Sequence, residues 1–279
     1  MDNEECLILN CPLSIVNYPL VSAIVLNYRS HRDTVRCVHA LREQMIADEL
    51  EILVVDNHSD DESIAFLRAQ LGNMPTVRMV EERGNLGYGR SNNHVALQFA
   101  RGEYLLIVNP DNVLPPDALE HMLTTLRTHP RAGIVGPALV YPDGSIRPSA
   151  RMFPTFFDLV RKRIFPKQWH AEYEKVMQSM RCHTIIHVDW LVGACLLMRT
   201  DLFRSLGGFD PRFFLFFEDI DLCKRAALAG KNVLYLPQIH VLDRRMRLSG
   251  SSLFSLLRRR MTWIHAASAM KYFWKWKKA

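Results

Sequence analysis

Residues 21–60 read VSAIVLNYRSHRDTVRCVHALREQMIADELEILVVDNHSD. The stretch opens on Val21–Leu26, a short apolar run rich in β-branched residues that stops at Asn27-Tyr28. Such a run between polar residues predicts a buried strand. Val35, Val38, Leu41 and Met45 then recur at helical spacing. Ile52–Val55 repeats the strand pattern before a polar cluster, Asp56-Asn57-His58-Ser59-Asp60.

The same alternation continues outward. It predicts a helix over Asp60–Leu71, a strand over Val77–Val80, a helix over Ser91–Ala100, a strand over Tyr104–Val108 and a helix over Pro116–Arg127, started by Pro115-Pro116. Strands that alternate with helices in this way form a mostly parallel sheet flanked by helices, an α/β fold. Ligands of such folds bind beyond the carboxyl ends of the strands. The second half is less regular. Gly133–Val140 reads as a strand, Tyr141–Gly144 as a turn, and Arg151–Met180 as a loop-and-helix insertion. Trp190–Met198 reads as one buried strand, Thr200 as the cap of a short helix ending at Gly207-Gly208, and Asp219–Ala229 as a helix stopped by Gly230. Val233–Leu236 closes the strand set, with His240 a few residues beyond it, and Ser251–Lys277 is the last helix.

Composition excludes several classes. Of 279 residues, 48% are hydrophobic and 23% charged, ordinary values for a globular chain and far from those of a disordered one. The apolar run Trp190–Met198, bounded by Asp189 and Arg199, is much too short to span a bilayer. The net charge of +6 is uneven: residues 240–279 carry ten Lys/Arg against Asp243 alone, which leaves −3 over residues 1–239. A basic tail seeks an anionic surface, nucleic acid or lipid. The acidic body argues against nucleic acid, whose binders spread basic residues over the folded domain. Six cysteines (Cys6, Cys11, Cys37, Cys182, Cys195 and Cys223) show no pairing rhythm, and Met1–Glu5 is acidic where an export signal would be basic. The expectation is a reduced, cytoplasmic protein.

Polar residues at strand ends are the first candidates for chemistry. Asp56 and Asp60 could hold a ligand or merely cap the next helix. Asp111 is harder to dismiss as a cap, because Asn109-Pro110-Asp111 cuts off an apolar strand several residues before the next helix. One carboxylate suffices to hold Mg²⁺ when substrate phosphates complete its shell. The turn Gly84-Asn85-Leu86-Gly87-Tyr88-Gly89 suits close approach of a phosphate or sugar, or it is only a tight turn. Its glycine spacing runs opposite to the dinucleotide fingerprint, which counts against a nicotinamide-dependent oxidoreductase. The densest signal is GGFDPRFFLFFEDIDLCKR, residues 207–225, in which five phenylalanines lead into Glu218, Asp219 and Asp221. Acids in a first helical turn are favoured by the macrodipole, while acids against an aromatic wall are desolvated and become competent bases. Asp221 is placed to pair with Arg225.

Taken in order, VSAIVLNYRS, ILVVDNHSDDES, NLGYGRSNNHVAL, YLLIVNPDNVL, WLVGACLLMR and GGFDPRFFLFFEDIDLCKRAALAG resemble the family 2 glycosyltransferases of GT-A fold, and among them the rhamnosyltransferase-like members. The likeness covers about residues 20–245, which leaves an N-terminal extension over 1–19 and a basic amphipathic C-terminal helix over 246–279. It implies an inverting transferase that moves a sugar, L-rhamnose from its thymidine diphosphate donor, onto a polysaccharide or polyprenyl-linked glycan; galactofuranose, glucose or another hexose is the alternative. By the same resemblance Asn27, Tyr28, Asp56, Asn85, Gly87, Asn109 and Asp111 bind the nucleotide sugar. Asp111, with Asn109 in place of the first acid of the metal motif, and His240 would hold Mg²⁺ or Mn²⁺. Asp219 is the base, with Glu218 beside it, and Trp190, Gly193 and Glu218 face the acceptor. After His240 the chain departs from the family pattern, since Asp243-Arg244-Arg245-Met246-Arg247 replaces small and acidic residues. A catalytically inactive nucleotide-sugar-binding protein is the alternative of a different class. Trp and Lys along the last helix suit an anionic membrane surface, which would make the protein peripheral on the inner face of the membrane. The alternative is that this helix packs its Leu and Trp face on the catalytic domain.

Overall fold

The computed structural model describes residues 18–155, 185–244 and 252–277. The N-terminal extension, most of the Arg151–Met180 insertion, Cys6, Cys11, Cys182 and Arg245–Arg247 lie outside these residues.

Four parallel strands build one half of the main sheet in the order β3-β2-β1-β4. They are β1 (Val21–Asn27), β2 (Leu50–Asp56), β3 (Val77–Glu81) and β4 (Tyr104–Val108). Every residue of β1 and β4 is buried, as expected of strands covered on both faces. Their side chains alternate between two cores. Ile24, Leu26, Leu53, Val55, Leu105 and Ile107 enter one; Ala23, Val25, Ile52, Val54, Leu106 and Val108 enter the other. Helices α1 (His31–Arg42), α2 (Ser63–Leu71) and α4 (Ala118–Thr128) cover the second face, while α3 (Tyr88–Gln98) covers the first. Connections after β1 and β3 therefore leave on opposite faces. That opens a crevice at the carboxyl ends of β1 and β4, the expected ligand position.

Beyond β4 the sheet continues through β10 (Cys195–Arg199), β6 (Ala132–Val140), β11 (Asn232–Asp243) and the two-residue β5 (Asn112–Val113). Strand β10 runs antiparallel to both neighbours, β6 and β11 are parallel, and β8 (Ile186–Val188) adds to β11. A separate ribbon pairs β7 (Ala150–Arg151) with β9 (Trp190–Leu191). Helices α5 (Thr200–Ser205), α6 (Glu218–Leu228) and α7 (Ser252–Lys275) complete the set.

Three expectations change. Trp190–Met198 is not one strand: it breaks at Val192–Ala194, where Gly193 turns the chain from the small ribbon into the main sheet. Thr200 lies inside α5 and donates its hydroxyl to the Gly102 carbonyl at 2.7 Å instead of capping the helix. The last strand runs on to Asp243, so His240 sits in its ladder opposite Ala138 of β6. The helix over 252–275 packs inward, with Ala269 and Tyr272 in the same core as β1 and α6. Cys37, Cys195 and Cys223 are free and buried, and burial pushes the last two thiols up to about 12.

Candidate active site

Register brings the strand ends together before any side chain is considered. Asn27 pairs with Asp56 across β1 and β2. The Asn27 amide donates to Asp56 Oδ1 at 2.6 Å, and its oxygen accepts from Ser30 N and from Thr34 Oγ1 at 3.2 and 3.0 Å. Asp56 also accepts from Ser59 N and Oγ. Asn27 is thus wholly committed to holding Asp56, whereas Tyr28 is 43% exposed at the crevice edge with the Arg29 guanidinium 5.3 Å from its ring centre. The glycine turn is pinned from β2: Asn57 Nδ2 donates to Asn85 Oδ1 at 3.1 Å, and Asn57 Oδ1 accepts from Leu86 N at 2.9 Å. Gly87 has φ +81°, and a Cβ there would meet the Phe214 carbonyl at 2.3 Å. Its role is close packing against the aromatic segment, and Tyr88 N–H bonds that same carbonyl at 2.9 Å.

The carboxylates come from the other side. Cys195 of β10 pairs with Val108 of β4, so the Gly193 turn lies beside the loop that follows β4, and Asn109 N–H donates to the Ala194 carbonyl at 2.7 Å. Gly193 N–H donates to Asp219 Oδ2 at 2.8 Å, and Ile220 N–H holds Oδ1 at 2.8 Å. A Cβ on Gly193 would stand 3.2 Å from that of Asp219, so the glycine lets the acid approach. Tyr88 donates its hydroxyl to the Gly193 carbonyl. Its phenol is pushed well up by burial and then by the charges of Glu218, Asp219 and Asp111, so the fields of three carboxylates reach it.

Glu218 and Asp219 open α6 together with Asp221, all in its first turn. Burial raises the pKa of both members of the pair, and the charge of Asp219 raises Glu218 further. The two amide bonds and Arg151 partly restore ionisation at Asp219. Glu218 Oε2 is buried with no hydrogen-bond partner. The pair is delivered by Phe216 and Phe217, both left-handed at φ +69° and +70°. Each such turn costs a non-glycine residue roughly 1–2 kcal/mol. Burying the Phe213 and Phe217 rings, at about 1.5–3 kcal/mol each, offsets that cost.

Asp111 is half-buried directly after β4, with its carbonyl accepting from Arg244 N–H at 2.9 Å. Asn112 beside it is fully buried, and neither atom of its side-chain amide has a hydrogen-bond partner. A carboxylate flanked by amide oxygens suits a hard divalent cation that takes its remaining ligands from a diphosphate and water. His240 is exposed in β11, four residues before Arg244. Among the described residues no three His, Cys, Asp or Glu side chains converge as a metal cluster.

Trp190 is buried, with its indole N–H on the Met152 carbonyl at 2.9 Å and Arg151 5.3 Å from its ring centre. It therefore backs Arg151, which reaches Asp219 electrostatically. Sequence reasoning missed both Tyr88 and Arg151. Tyr88 stood in the quoted glycine turn and was read only for its glycines; Arg151 begins an aperiodic stretch and carries no signal.

Residues 19–266 match the family model described as "Glycosyltransferase like family 2". This chain belongs to that family. As a family 2 glycosyltransferase it is 31% identical over 245 residues to the N-acetylglucosaminyl-diphospho-decaprenol L-rhamnosyltransferase of Mycobacterium tuberculosis, covering 81% of this chain and 77% of that one. It is 28% identical over 176 residues to the rhamnosyltransferase WbbL of Escherichia coli, covering 57% and 61%. Among solved structures it resembles the mannosyltransferase PcManGT from Pyrobaculum calidifontis in complex with GDP-Man and Mn²⁺, with TM-score 0.62 and 21% identity. The likeness covers 91% of this chain and spans 64% of that one, and it supports the GT-A fold.

Proposed function

We propose that this glycosyltransferase moves L-rhamnose from a thymidine diphosphate donor to a polyprenyl-linked glycan in one inverting displacement. The observation that carries the reading is the Tyr88–Gly193–Asp219 arrangement, in which Tyr88 bonds the Gly193 carbonyl and the Gly193 N–H bonds Asp219, beside the loop that bears Asp111 after β4. Similarity to chains named rhamnosyltransferase, one of them acting on a decaprenol-linked sugar, supports the choice of donor and acceptor.

The donor nucleotide lies in the crevice over β1 and β2. Tyr28 offers an exposed ring to the base, and Asp56, aimed by Asn27 and Ser59, faces the ribose. Asn85 and Gly87 keep the glycine turn seated on Phe214. Asp111, with Asn109 beside it, would hold Mg²⁺ or Mn²⁺, which when bound neutralises charge on the leaving diphosphate. Asp219 takes the proton from the acceptor hydroxyl as that oxygen attacks the anomeric carbon. Its two oxygens, fixed by Gly193 and Ile220 amides, keep free lone pairs for that proton. Glu218, with Oε2 unpartnered, orients the hydroxyl. Arg151 favours ionised Asp219 before each turnover.

Lipid-linked acceptors lie at a membrane, and α7 offers a surface for one. Trp263, Met270 and Trp274 are 76%, 68% and 81% exposed, fall on one helical face, and are flanked by exposed Lys277. This face supports a peripheral position on the inner face of the membrane; no helix among the described residues is long and apolar enough to cross one.

The test is incubation with a panel of nucleotide sugars and a prenyl-diphosphate glycan, with and without EDTA. Rhamnosylated product that disappears in EDTA is expected. Transfer of another hexose would reassign the donor, EDTA-resistant transfer would remove the metal from Asp111, and donor binding without transfer from any sugar would leave an inactive binding protein.

A further inference from the structure

The inner face of α7 lies on the segment that carries the acidic pair. The His265 ring centre is 5.2 Å from those of both Phe216 and Phe217, and Tyr272 is 5.4 Å from Phe217. Ser268 Oγ donates to the Leu215 carbonyl at 2.8 Å, and Lys271 Nζ to the Arg212 carbonyl at 2.8 Å. Lys275 Nζ lies 2.7 Å from Asp210 Oδ2 and 2.6 Å from Asp221 Oδ1, both on buried residues. Trp276 Nε1 donates to the same Asp221 oxygen at 3.0 Å, and Arg225 holds the other at 2.8 Å.

Asp210 and Asp221 stand at the two ends of the aromatic segment, and Glu218 and Asp219 lie between them. Two consecutive left-handed phenylalanines have no local support, since Phe217 is the helix N-cap and makes no side-chain cap bond. Such a conformation persists only where surrounding structure over-determines it. Here α3 holds the segment at Phe209, Pro211 and Phe214, and α7, remote in sequence, meets it at Arg212, Leu215, Phe216, Phe217 and both flanking acids.

We propose that Lys275 is a positioning residue for the transfer reaction: by bridging Asp210 and Asp221 it closes the aromatic segment against α7 and so fixes where Glu218 and Asp219 point. The proposal rests on the reading of Asp219 as base. It also divides the basic tail into two jobs, with Lys271 and Lys275 spent on the catalytic segment and the outer face left free.

The test compares full-length wild type with Lys275→Met, which keeps the stem without the charge, and Lys275→Arg, which keeps the charge. Each is assayed below its melting temperature for turnover, for donor affinity by calorimetry, and for amide hydrogen exchange. Lys275→Met is expected to lower kcat by about ten-fold or more, as misplacement of a reacting group does, with donor Kd within about two-fold. Lys275→Arg is expected to recover most of the loss. Exchange should quicken in residues 213–221 of Lys275→Met and stay unchanged in residues 21–27. Wild-type kcat in Lys275→Met, equal loss of donor binding, or exchange raised throughout the chain would each overturn the proposal. If wild type transfers no sugar, the functional reading fails, and the exchange contrast alone still decides the clamp.

Discussion

Glu218 and Asp219 are neighbours in sequence with different surroundings, and the difference supports the roles proposed for them. Asp219 receives two backbone amides and the field of Arg151, whereas Glu218 is buried with one oxygen unpartnered. Burial raises the Glu218 pKa above its unfolded value, so its contribution to stability is present at low pH and is lost as pH rises through the folded value. Glu218→Gln should therefore stabilise the protein increasingly as pH rises from the ordinary carboxylate range to the folded value and level off above it, by on the order of 1 kcal/mol or about 2–4 °C in Tm, with no gain at low pH. Thermal melts across pH check this, and a Tm difference independent of pH would contradict it. The candidacy of both acids was legible in the sequence, because acids directly after a phenylalanine run are desolvated wherever that run is buried. Their division of labour was not, since it depends on the Gly193 amide, which comes from a different part of the chain.

Helix α7 shows how far a single element can be read. Its Trp and Lys content pointed both to a membrane surface and to packing on the catalytic domain, and the structure puts a different set of residues on each face. Tyr272, Ser268, Lys275 and Trp276 turn inward, while Trp263, Met270 and Trp274 turn outward. Composition alone cannot make that division, because the inward Lys275 is chosen by the buried Asp210 and Asp221, not by anything on α7 itself. With about 1 kcal/mol per basic residue near an anionic surface and two exposed tryptophans, the outer face supports salt-sensitive attachment. Wild-type protein should co-sediment with anionic vesicles at low salt, and Trp263→Ala/Trp274→Ala should lose most of that binding. Equal sedimentation of both, or indifference to lipid charge, would remove the membrane role. The strand end at His240 shows the opposite outcome: the apolar run Val233–Leu236 was legible, but its extension to Asp243 is set by pairing with β6 and β5, partners that no local pattern names.

At the scale of the whole molecule, the parallel half of the sheet and the crevice at its carboxyl edge follow from alternation of strand and helix patterns along residues 21–128. The antiparallel insertion of β10 between β4 and β6 is what completes the candidate site, because it carries Gly193 to the end of β4 and so sets Tyr88 and Asp219 beside the loop that bears Asp111. That step is long-range in sequence, and the chain announces it only by the glycine that breaks Trp190–Met198. The central claim is that the assembled crevice binds the donor independently of a base delivered by α6. It is tested most directly by measuring sugar transfer and donor affinity together in wild type and Asp219→Asn. Transfer by Asp219→Asn should fall by roughly 10²–10⁴ while donor Kd is unchanged. Wild-type transfer by Asp219→Asn, or a loss of donor binding that accounts for the whole fall in rate, would contradict the account.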